Sequence, residues 1–481
     1  MRNIFLIIYT VLLTTISCSK SDDIREIIPE ESITKDLTIF IVNDNHAQID
    51  NFSKIKYIID KEREGTNVIV TSGGDIFSGN PIVDNYSEKG YPIIDLMNRV
   101  GFDISVIGNH EYDYGEVNLK NRIDQAEFYW VCANVNMNNS GIPQPFEFTT
   151  ISVDNLKITF LGLVETNGKE DATIPSTHPW RVKNLIFERP ENVVSRYSNV
   201  KEQENSDIYI ALTHIGNSSA YGGLGDHQLA EQFPYFDLII GGHSHSKVND
   251  VVNNIPIFQA GAYLENMGKI EMTITDKNIK TITYELIDLN GHTEEDSELK
   301  EIIEEYNDSP YFNEVIGFSH LHHEKSQLGC FITDALREKL DIDLTFQNTG
   351  GIRSDLDNGD ITKRKIFEIL PFNNNAVIYQ MTVSEIKNFL MGSGSGFYYS
   401  GVKFENIEGI INVEDLDGNK LSDETILSVG VNDYIPAVYD VYFPADGAIQ
   451  PLTDAEIVIS YLEEMNDQVN YSSCENYFRY N

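Results

Sequence analysis

Five short polar motifs, each directly after an apolar and β-rich run, occur in one order along the chain. They are Asp44-Asn45-His46, Gly74-Asp75, Gly108-Asn109-His110-Glu111, Thr213-His214 and Gly242-His243-Ser244-His245. Loops that leave separate strands can bring their side chains to one point, as at the edge of a parallel sheet. A single His-x-His would say little, but five such sites in order predict one cluster of carboxylate, imidazole and amide groups.

The segments between the motifs predict an α/β domain, because strand patterns alternate with helical periodicity. Strands are predicted over residues 37–43, 67–72, 104–107, 157–164, 207–213, 238–240, 257–262 and 269–275. Helices are predicted over residues 52–64 and 91–100. We assign residues 37–292 to this first domain.

A second domain is expected, because 481 residues exceed the usual size of one hydrophobic core. After a polar break at 291–296, an acidic helix at 299–306 is the predicted centre of a connector, 293–314. Residues 315–481 then predict a mixed α/β domain, which starts with an amphipathic helix at 326–340 and a strand at 343–347.

The chain is strongly acidic, with a formal net charge of −40. This charge argues against binding of a nucleic-acid polymer through a basic face. It also repels small anions at long range, so a phosphate site would need a local positive charge from metal ions and an arginine.

The N-terminus predicts export. Arg2 precedes an apolar run at 4–16 that is shorter than the about 20 residues needed to span a bilayer. The following Thr15-Ile16-Ser17-Cys18 resembles a bacterial lipoprotein cleavage box, which implies a signal peptide at 1–17, lipidation of Cys18, an acidic tether at 18–36 and a lipid anchor in the outer membrane of the cell envelope. An ordinary signal peptide with an incidental cysteine is the alternative, and the periplasmic or surface location stays open.

The remaining cysteines, Cys132, Cys330 and Cys474, are odd in number and widely spaced. We expect them to be small buried hydrophobic residues and not a disulfide framework. Six further histidines lack a motif context and are expected to be solvated: His178, His227, His292, His320, His322 and His323.

Carboxylate, imidazole and amide ligands suit first-row divalent metals, and the lack of thiolates argues against a structural zinc cage. Two metals about 4 Å apart can hold a nucleophilic hydroxide and a phosphoryl oxygen together. One carboxylate must then bridge them, and Asp75, in its glycine-flanked loop, is the candidate. Zinc, manganese, iron and cobalt all fit such ligands.

The motif order resembles that of the calcineurin-like metallophosphoesterases, and more closely the 5′-nucleotidase family. The resemblance implies a four-layer αββα first domain. It implies a first metal held by Asp44, His46, Asp75 and His245, and a second held by Asp75, Asn109, His214 and His243. It also implies that His110 stabilises the transferring phosphoryl group or protonates the leaving group, with its ring oriented by Asp113. Glu111 is expected to be structural.

The second domain extends the resemblance through Asn348-Thr349-Gly350-Gly351-Ile352-Arg353 and Leu370-Pro371-Phe372-Asn373-Asn374. Gly350 permits close approach of the backbone to an anion, and Arg353 can grip phosphate with two hydrogen bonds. A surface salt bridge is the alternative role for Arg353. Asn348 and Asn375 could add polar contacts.

In the family, two aromatic residues sandwich the nucleobase, which implies Phe397 and Tyr434 here, and an aspartate binds the ribose, which implies Asp440. Burial in the core is the alternative for both rings. Val438-Tyr439 replaces the usual Gly-Gly before that aspartate, and no clear counterpart exists for a second phosphate-binding arginine.

Together these features predict an exported two-metal phosphohydrolase that converts nucleoside 5′-monophosphates to nucleoside and phosphate by attack of a metal-bound hydroxide. Hydrolysis of UDP-sugars or other nucleotide diphosphates, or of 2′,3′-cyclic nucleotides, is the alternative within the enzyme class. A surface-binding lipoprotein on the same fold is the alternative outside it. The sequence leaves the oligomeric state open.

Overall fold

A computed structural model describes residues 34–218, 222–465 and 468–480. The predicted signal peptide, Cys18 and most of the acidic tether lie outside these residues. Within them, no helix is long and apolar enough to cross a membrane.

The first domain and the connector contain fourteen strands and eight helices in the described residues. The strands are β1 (Thr34–Val42), β2 (Asn67–Ser72), β3 (Ile104–Val106), β4 (Tyr129–Val131), β5 (Val135–Asn136), β6 (Phe148–Val153), β7 (Leu156–Val164), β8 (Ile186–Phe187), β9 (Ile208–His214), β10 (Leu238–Ile240), β11 (Lys247–Val252), β12 (Ile255–Ala260), β13 (Asn266–Thr275) and β14 (Asn278–Asp288). The helices are α1 (Phe52–Arg63), α2 (Pro81–Asp84), α3 (Tyr91–Val100), α4 (Gly115–Gln125), α5 (Pro190–Val193), α6 (Val200–Gln203), α7 (Asp226–Gln232) and α8 (Ser297–Asn307).

Two six-stranded sheets pack face to face and form the middle of this domain. One sheet has the order β14-β13-β1-β2-β3-β4, and the other has the order β11-β12-β10-β9-β7-β6. Their inner faces share one apolar core, which includes Ile39 and Ile104 of the first sheet and Ile158 and Ile210 of the second. Separate cores on the outer faces bury α1, α3 and α4 on one side and α7 on the other. The predicted four-layer αββα architecture is therefore confirmed.

The connector helix α8 packs on the first domain. Asp296 caps its N-terminus, because its carboxylate accepts a hydrogen bond from the Leu299 amide at 2.8 Å. Leu299 and Ile303 then bury their side chains in the outer core of the first sheet.

The second domain contains eleven strands and five helices in the described residues. The strands are β15 (Val315–Ser319), β16 (Leu344–Asn348), β17 (Gly359–Thr362), β18 (Asn375–Thr382), β19 (Gly396–Ser400), β20 (Lys403–Ile407), β21 (Ile410–Glu414), β22 (Ile426–Asn432), β23 (Ala448–Thr453), β24 (Gln468–Val469) and β25 (Tyr477–Arg479). The helices are α9 (Lys325–Leu340), α10 (Lys363–Ile369), α11 (Val383–Ser393), α12 (Tyr434–Val438) and α13 (Asp454–Met465).

A six-stranded sheet of order β23-β18-β22-β16-β19-β25 organises the second domain. Helices α9, α10 and α13 share one apolar core, and α11 shares another with the strands. The expectation for the cysteines is wrong for two of the three: Cys330 and Cys474 form a disulfide across 144 residues, whereas Cys132 is free and buried. Their sequence spacing gave no sign of the bond, because it depends on the C-terminal segment returning to α9.

Candidate active site

The five motifs meet where strands of both sheets end. Asp44, Asp75 and Asn109 follow β1, β2 and β3 of the first sheet, whereas His214 ends β9 and His243 follows β10 of the second. Glycines allow the two sets of loops to touch. A Cβ atom on Gly73 would lie 2.6 Å from the Gly241 carbonyl oxygen, and one on Gly242 would lie 2.4 Å from the Gly73 carbonyl oxygen.

Five of the seven predicted metal ligands have left-handed backbone conformations. Their φ angles are 52° at Asp44, 47° at His46, 52° at Asp75, 77° at His243 and 53° at His245. Such conformations cost about 1–3 kcal/mol each and persist where the surroundings enforce them. Here the Asp44 amide donates to the Gly74 carbonyl and the His46 amide to the Asp75 carbonyl, each at 3.0 Å. The strain is typical of a site whose geometry serves a function.

Potential ligand atoms converge in three overlapping groups, within each of which they lie within 4.8 Å of one another. The groups are Asp44-His46-His245, His46-Asp75-His110 and Asp75-His214-His243. Asn109 joins the last group, because its Oδ1 lies 3.0 Å from Nδ1 of His243. Asp75 belongs to two groups, which is the position a bridging carboxylate would need.

Hydrogen bonds at Nδ1 orient two of the imidazoles. Nδ1 of His46 bonds to the Ser78 carbonyl at 3.0 Å, and Nδ1 of His214 bonds to the Gly73 carbonyl at 2.7 Å. A carbonyl can only accept, so both Nδ1 atoms carry a proton, and in the neutral ring this leaves the Nε2 lone pair for a metal. Nε2 of His214 is buried, has no hydrogen-bond partner in the described residues and lies 3.0 Å from Asp75 Oδ2. These donor atoms fit a divalent metal.

Charge and burial keep part of this cluster neutral. Burial, together with His110 and Arg353, holds the pKa of His46 well below its usual range. Burial and Arg353 lower the pKa of His245 to about 3. Both imidazoles are therefore neutral near pH 7, which is the form that binds metals. Burial also raises the pKa of Asp44 to about 6.

His110 is held as the sequence motif implies. Its Nδ1 lies 2.7 Å from Asp113 Oδ2, and its Nε2 lies 3.9 Å from Asp75 Oδ2. Burial opposes its protonation, but Asp75 and Asp113 outweigh that effect and raise the pKa of His110. Glu111 supports the loops instead, because its carboxylate accepts hydrogen bonds from the backbone amides of Asp75, Ile76 and Gly108.

A cavity of about 90 Å³ opens beside His110 and is lined by both domains. Its lining residues are His110, Asp113, Ser176, His178, Arg181, Asn348, Gly350, Arg353, Phe372, Asn374 and Tyr434. The predicted residues Asn348, Gly350, Arg353 and Tyr434 therefore lie around one space with His110 and Asp113.

Phe372 is one contact between the two halves of this site. Its ring stacks on His110, with 5.6 Å between centroids and 14° between planes. The guanidinium of Arg353 lies 5.8 Å from the centroid of the same ring. Arg181 of the first domain donates a hydrogen bond to the Phe372 carbonyl at 3.2 Å.

Three predicted substrate contacts do not reach the cavity. The amide of Asn375 donates to the Gln450 carbonyl at 3.1 Å, and its neighbour Asn374 lines the cavity instead. Phe397 is 1% exposed in the core of the second domain, where Phe389 packs on it at 4.9 Å. Asp440 is exposed to solvent at the start of a short 3₁₀ turn. For Phe397, the core packing given above as the alternative is the arrangement found.

Sequence patterns missed several residues of the site. Glu165, His178 and Arg181 belong to no motif. Only Glu165 has a sequence signal, because it directly follows the end of β7 at Val164. The expectation of solvated histidines is wrong for His178 and His323, which are both buried. His178 lies 3.5 Å from Asp433 Oδ1, and His323 accepts a hydrogen bond from the Tyr471 amide.

Two protein families match successive parts of the chain. The family model for calcineurin-like phosphoesterases matches residues 37–247, and the model for the C-terminal domain of 5′-nucleotidases matches residues 311–445. A trifunctional nucleotide phosphoesterase of Bacillus subtilis is 28% identical over 90% of this chain, but the chain spans only 34% of that relative's length. The 5′-nucleotidase of Vibrio cholerae is 24% identical over 90% of this chain and 91% of its own.

Solved structures show the same fold. A 5′-nucleotidase precursor from Thermus thermophilus matches with a TM-score of 0.79 at 20% identity, which covers 92% of this chain and 98% of that one. A sulfate thiohydrolase from Thermus thermophilus matches with a TM-score of 0.74 at 14% identity, over 91% of this chain and 96% of that one. Because the same fold carries different reactions, the substrate must be argued from the site itself.

Proposed function

Because the chain belongs to the calcineurin-like phosphoesterases that carry a 5′-nucleotidase C-terminal domain, and is a metal-dependent phosphoesterase, we propose that it hydrolyses nucleoside 5′-monophosphates to nucleoside and phosphate. The observation that carries this proposal is the shared cavity. His110 of the first domain faces the same space as Arg353 and Tyr434 of the second. A general acid, a phosphate-binding cation and an aromatic ring are the groups that such a substrate requires.

The residues that would hold two divalent metal ions are the ones that the sequence motifs imply. Asp44, His46, Asp75 and His245 would hold one ion. Asp75, Asn109, His214 and His243 would hold the other. Bound there, the ions would lower the pKa of a water molecule and offset the negative charge of the phosphoryl group.

His110 acts on the leaving group. Asp113 accepts from Nδ1, which directs the Nε2 proton of the imidazolium away from Asp113 and toward the cluster and the cavity. The raised pKa of His110 favours the imidazolium, whose Nε2 proton can pass to the departing ester oxygen. Asp113 holds the ring in this orientation and stabilises its charged form.

The second domain supplies the grip on the phosphate. Arg353 presents a guanidinium, which matches two phosphate oxygens at once. Asn348 keeps a fixed amide orientation, because its Oδ1 accepts a hydrogen bond from Asn432 at 2.8 Å. Its amide nitrogen is therefore available as a donor toward the cavity that it lines.

Tyr434 is the aromatic residue that would contact the leaving group. It lines the cavity at the start of α12, and the ring of His178 stands edge-on to it at 6.1 Å. Stacking of a base on such a ring contributes about 1–3 kcal/mol. A nucleoside would then lie on the side of the cavity away from the metal ligands.

A second candidate function is hydrolysis of nucleotide diphosphates such as UDP-sugars, or of 2′,3′-cyclic nucleotides. It is favoured by the absence of Phe397 and Asp440 from the lining of the cavity, which leaves the nucleoside with fewer specific contacts. The name of the trifunctional relative is compatible with such breadth.

We also propose that the protein is exported and anchored through Cys18. The disulfide between Cys330 and Cys474 supports export, because such bonds persist in oxidising compartments. Palmitate labelling of the cell envelope fraction, lost in Cys18→Ser, is the expected outcome. Unchanged labelling would contradict the lipid anchor.

Phosphate release tests the proposed reaction. AMP, UDP-glucose, 2′,3′-cyclic AMP and bis-p-nitrophenyl phosphate would be compared with and without added divalent metal, for the wild type and His110→Ala. Metal-dependent turnover of AMP that is lost in the variant supports the proposal. Turnover of UDP-glucose or diesters alone would favour the second candidate.

A further inference from the structure

Glu165 is a buried acid that the proposed reaction does not use. It follows β7, and its amide donates to the His214 carbonyl at 2.9 Å, so it lies beside the end of β9. The residue is 2% exposed. Neither of its carboxylate oxygens has a hydrogen-bond partner in the described part of the chain. Burial of an unpaired carboxylate is costly, which calls for a compensating partner.

The side chain that contacts the Glu165 carboxylate is a predicted metal ligand. Oε2 of Glu165 lies 2.5 Å from Nε2 of His243. The angles at this contact fall short of those of a hydrogen bond, although the distance is that of a strong one. Rotation of the imidazole would complete the bond.

The other nitrogen of His243 faces the metal ligands. Its Nδ1 lies 3.0 Å from Oδ1 of Asn109. A neutral imidazole carries one proton, so an acceptor at Nε2 leaves the lone pair on Nδ1. His46 and His214 have the reverse arrangement, because backbone carbonyls bind their Nδ1 atoms and leave Nε2 for the metal.

We propose that Glu165 is a positioning residue for the second metal: it accepts the Nε2 proton of His243 and thereby directs Nδ1 of that ring toward the ion. The inference rests on the proposed function for the existence of that ion. A carboxylate behind a metal-bound imidazole fixes its tautomer and increases its basicity, and loss of such a partner typically weakens metal binding about 10–100-fold.

Two conservative variants separate the hydrogen bond from the charge. Glu165→Asp keeps the charge but is one methylene too short to reach Nε2, whereas Glu165→Gln keeps the reach and an accepting oxygen but loses the charge. Metal-free protein would be titrated with Zn²⁺ and Mn²⁺ by calorimetry. We expect the second site to weaken about 10–100-fold in Glu165→Asp and less in Glu165→Gln, with the first site unchanged.

Nitrogen NMR of histidine-labelled, Zn²⁺-loaded protein gives a readout that does not depend on affinity. We expect the ring proton of His243 to be on Nε2 in the wild type. In Glu165→Asp, we expect this proton to leave Nε2 or to lose its fixed position. Asp103→Asn is the matched control, because that carboxylate binds the Val70 amide at the opposite end of β3. The metal-free variants must unfold on heating as cooperatively as the wild type.

The outcomes distinguish this inference from the proposed function. A wild-type protein that binds fewer than two ions per chain overturns both. If the wild type binds two ions, either of two results overturns the role of Glu165 alone. In the first, Glu165→Asp binds the second ion as tightly as the wild type does. In the second, Glu165→Asp binds it more tightly than Glu165→Gln does.

Discussion

The two halves of the active site are built in different ways. In the first domain, Asp44, His46, Asp75 and His214 are all at most 1% exposed, and backbone hydrogen bonds link their loops to one another. In the second domain, Arg353 and Tyr434 are partly exposed and line the cavity, the first from an irregular segment and the second from the start of α12. The first half is a buried, internally hydrogen-bonded cluster, whereas the second half is a surface that contact with the first completes.

Under the proposed function, the first half would carry the chemistry and the second half most of the recognition. Side chains at the ends of buried strands keep their positions through the core of both sheets. Recognition depends on where loops of two domains meet, as at Phe372 and Arg181. Changes in the first half and at the phosphate-binding Arg353 should therefore affect every substrate, whereas changes at Tyr434 should affect nucleotides selectively.

Asp75→Asn should have the largest effect. The variant removes the charge of the carboxylate that is shared by two ligand groups, so metal content should fall and turnover of all phosphate esters should drop to background. Elemental analysis after dialysis and phosphate release would check this. A variant that keeps two ions and normal turnover would remove Asp75 from the metal centre.

Arg353→Lys should have an intermediate effect. Lysine keeps the charge but cannot form the paired hydrogen bonds of a guanidinium. Loss of one charge-assisted bond predicts a kcat/KM that is about tenfold to a hundredfold lower for AMP, mainly through KM. Arg364→Lys is a suitable control, because Arg364 binds Asn307 and Asn313 away from the cavity. Equal effects in both variants would argue against a phosphate contact.

Asp454→Asn should leave turnover unchanged and alter stability. Burial and nearby Asp433 raise the pKa of Asp454 from 3.8 to about 8. The protonated acid therefore stabilises the fold at low pH, and this contribution is lost as the pH rises from about 4 to 8, at up to about 1.4 kcal/mol per pH unit.

The stability gain of Asp454→Asn over the wild type should consequently grow from pH 5 to pH 8.5. Urea unfolding across this range measures it, at constant ionic strength. A gain that is independent of pH would show that Asp454 does not titrate in the fold.

Much of the first domain could be predicted from the sequence, because each ligand motif follows a buried strand. Strand β2 lies over the predicted residues, and helix α3 matches its predicted range. The side chains that face the site were harder to predict in the second domain. Phe397 and Tyr398 are neighbours on β19 and point to opposite faces, but alternation alone does not tell which ring faces the core. The burial of His178 and the position of Arg181 depend on contact with another domain, which no local pattern encodes.

Steady-state kinetics of His110→Ala and Tyr434→Ala, each on AMP and on p-nitrophenyl phosphate, test the division between chemistry and recognition most directly. We predict that His110→Ala lowers kcat for both substrates by about 10²–10⁴-fold, because the lost imidazolium both protonates the leaving group and offsets charge on the phosphoryl group that the two esters share. Tyr434→Ala should lower kcat/KM about tenfold for AMP and leave p-nitrophenyl phosphate unchanged. An equal loss on both substrates in Tyr434→Ala, or a selective loss in His110→Ala, would contradict this account.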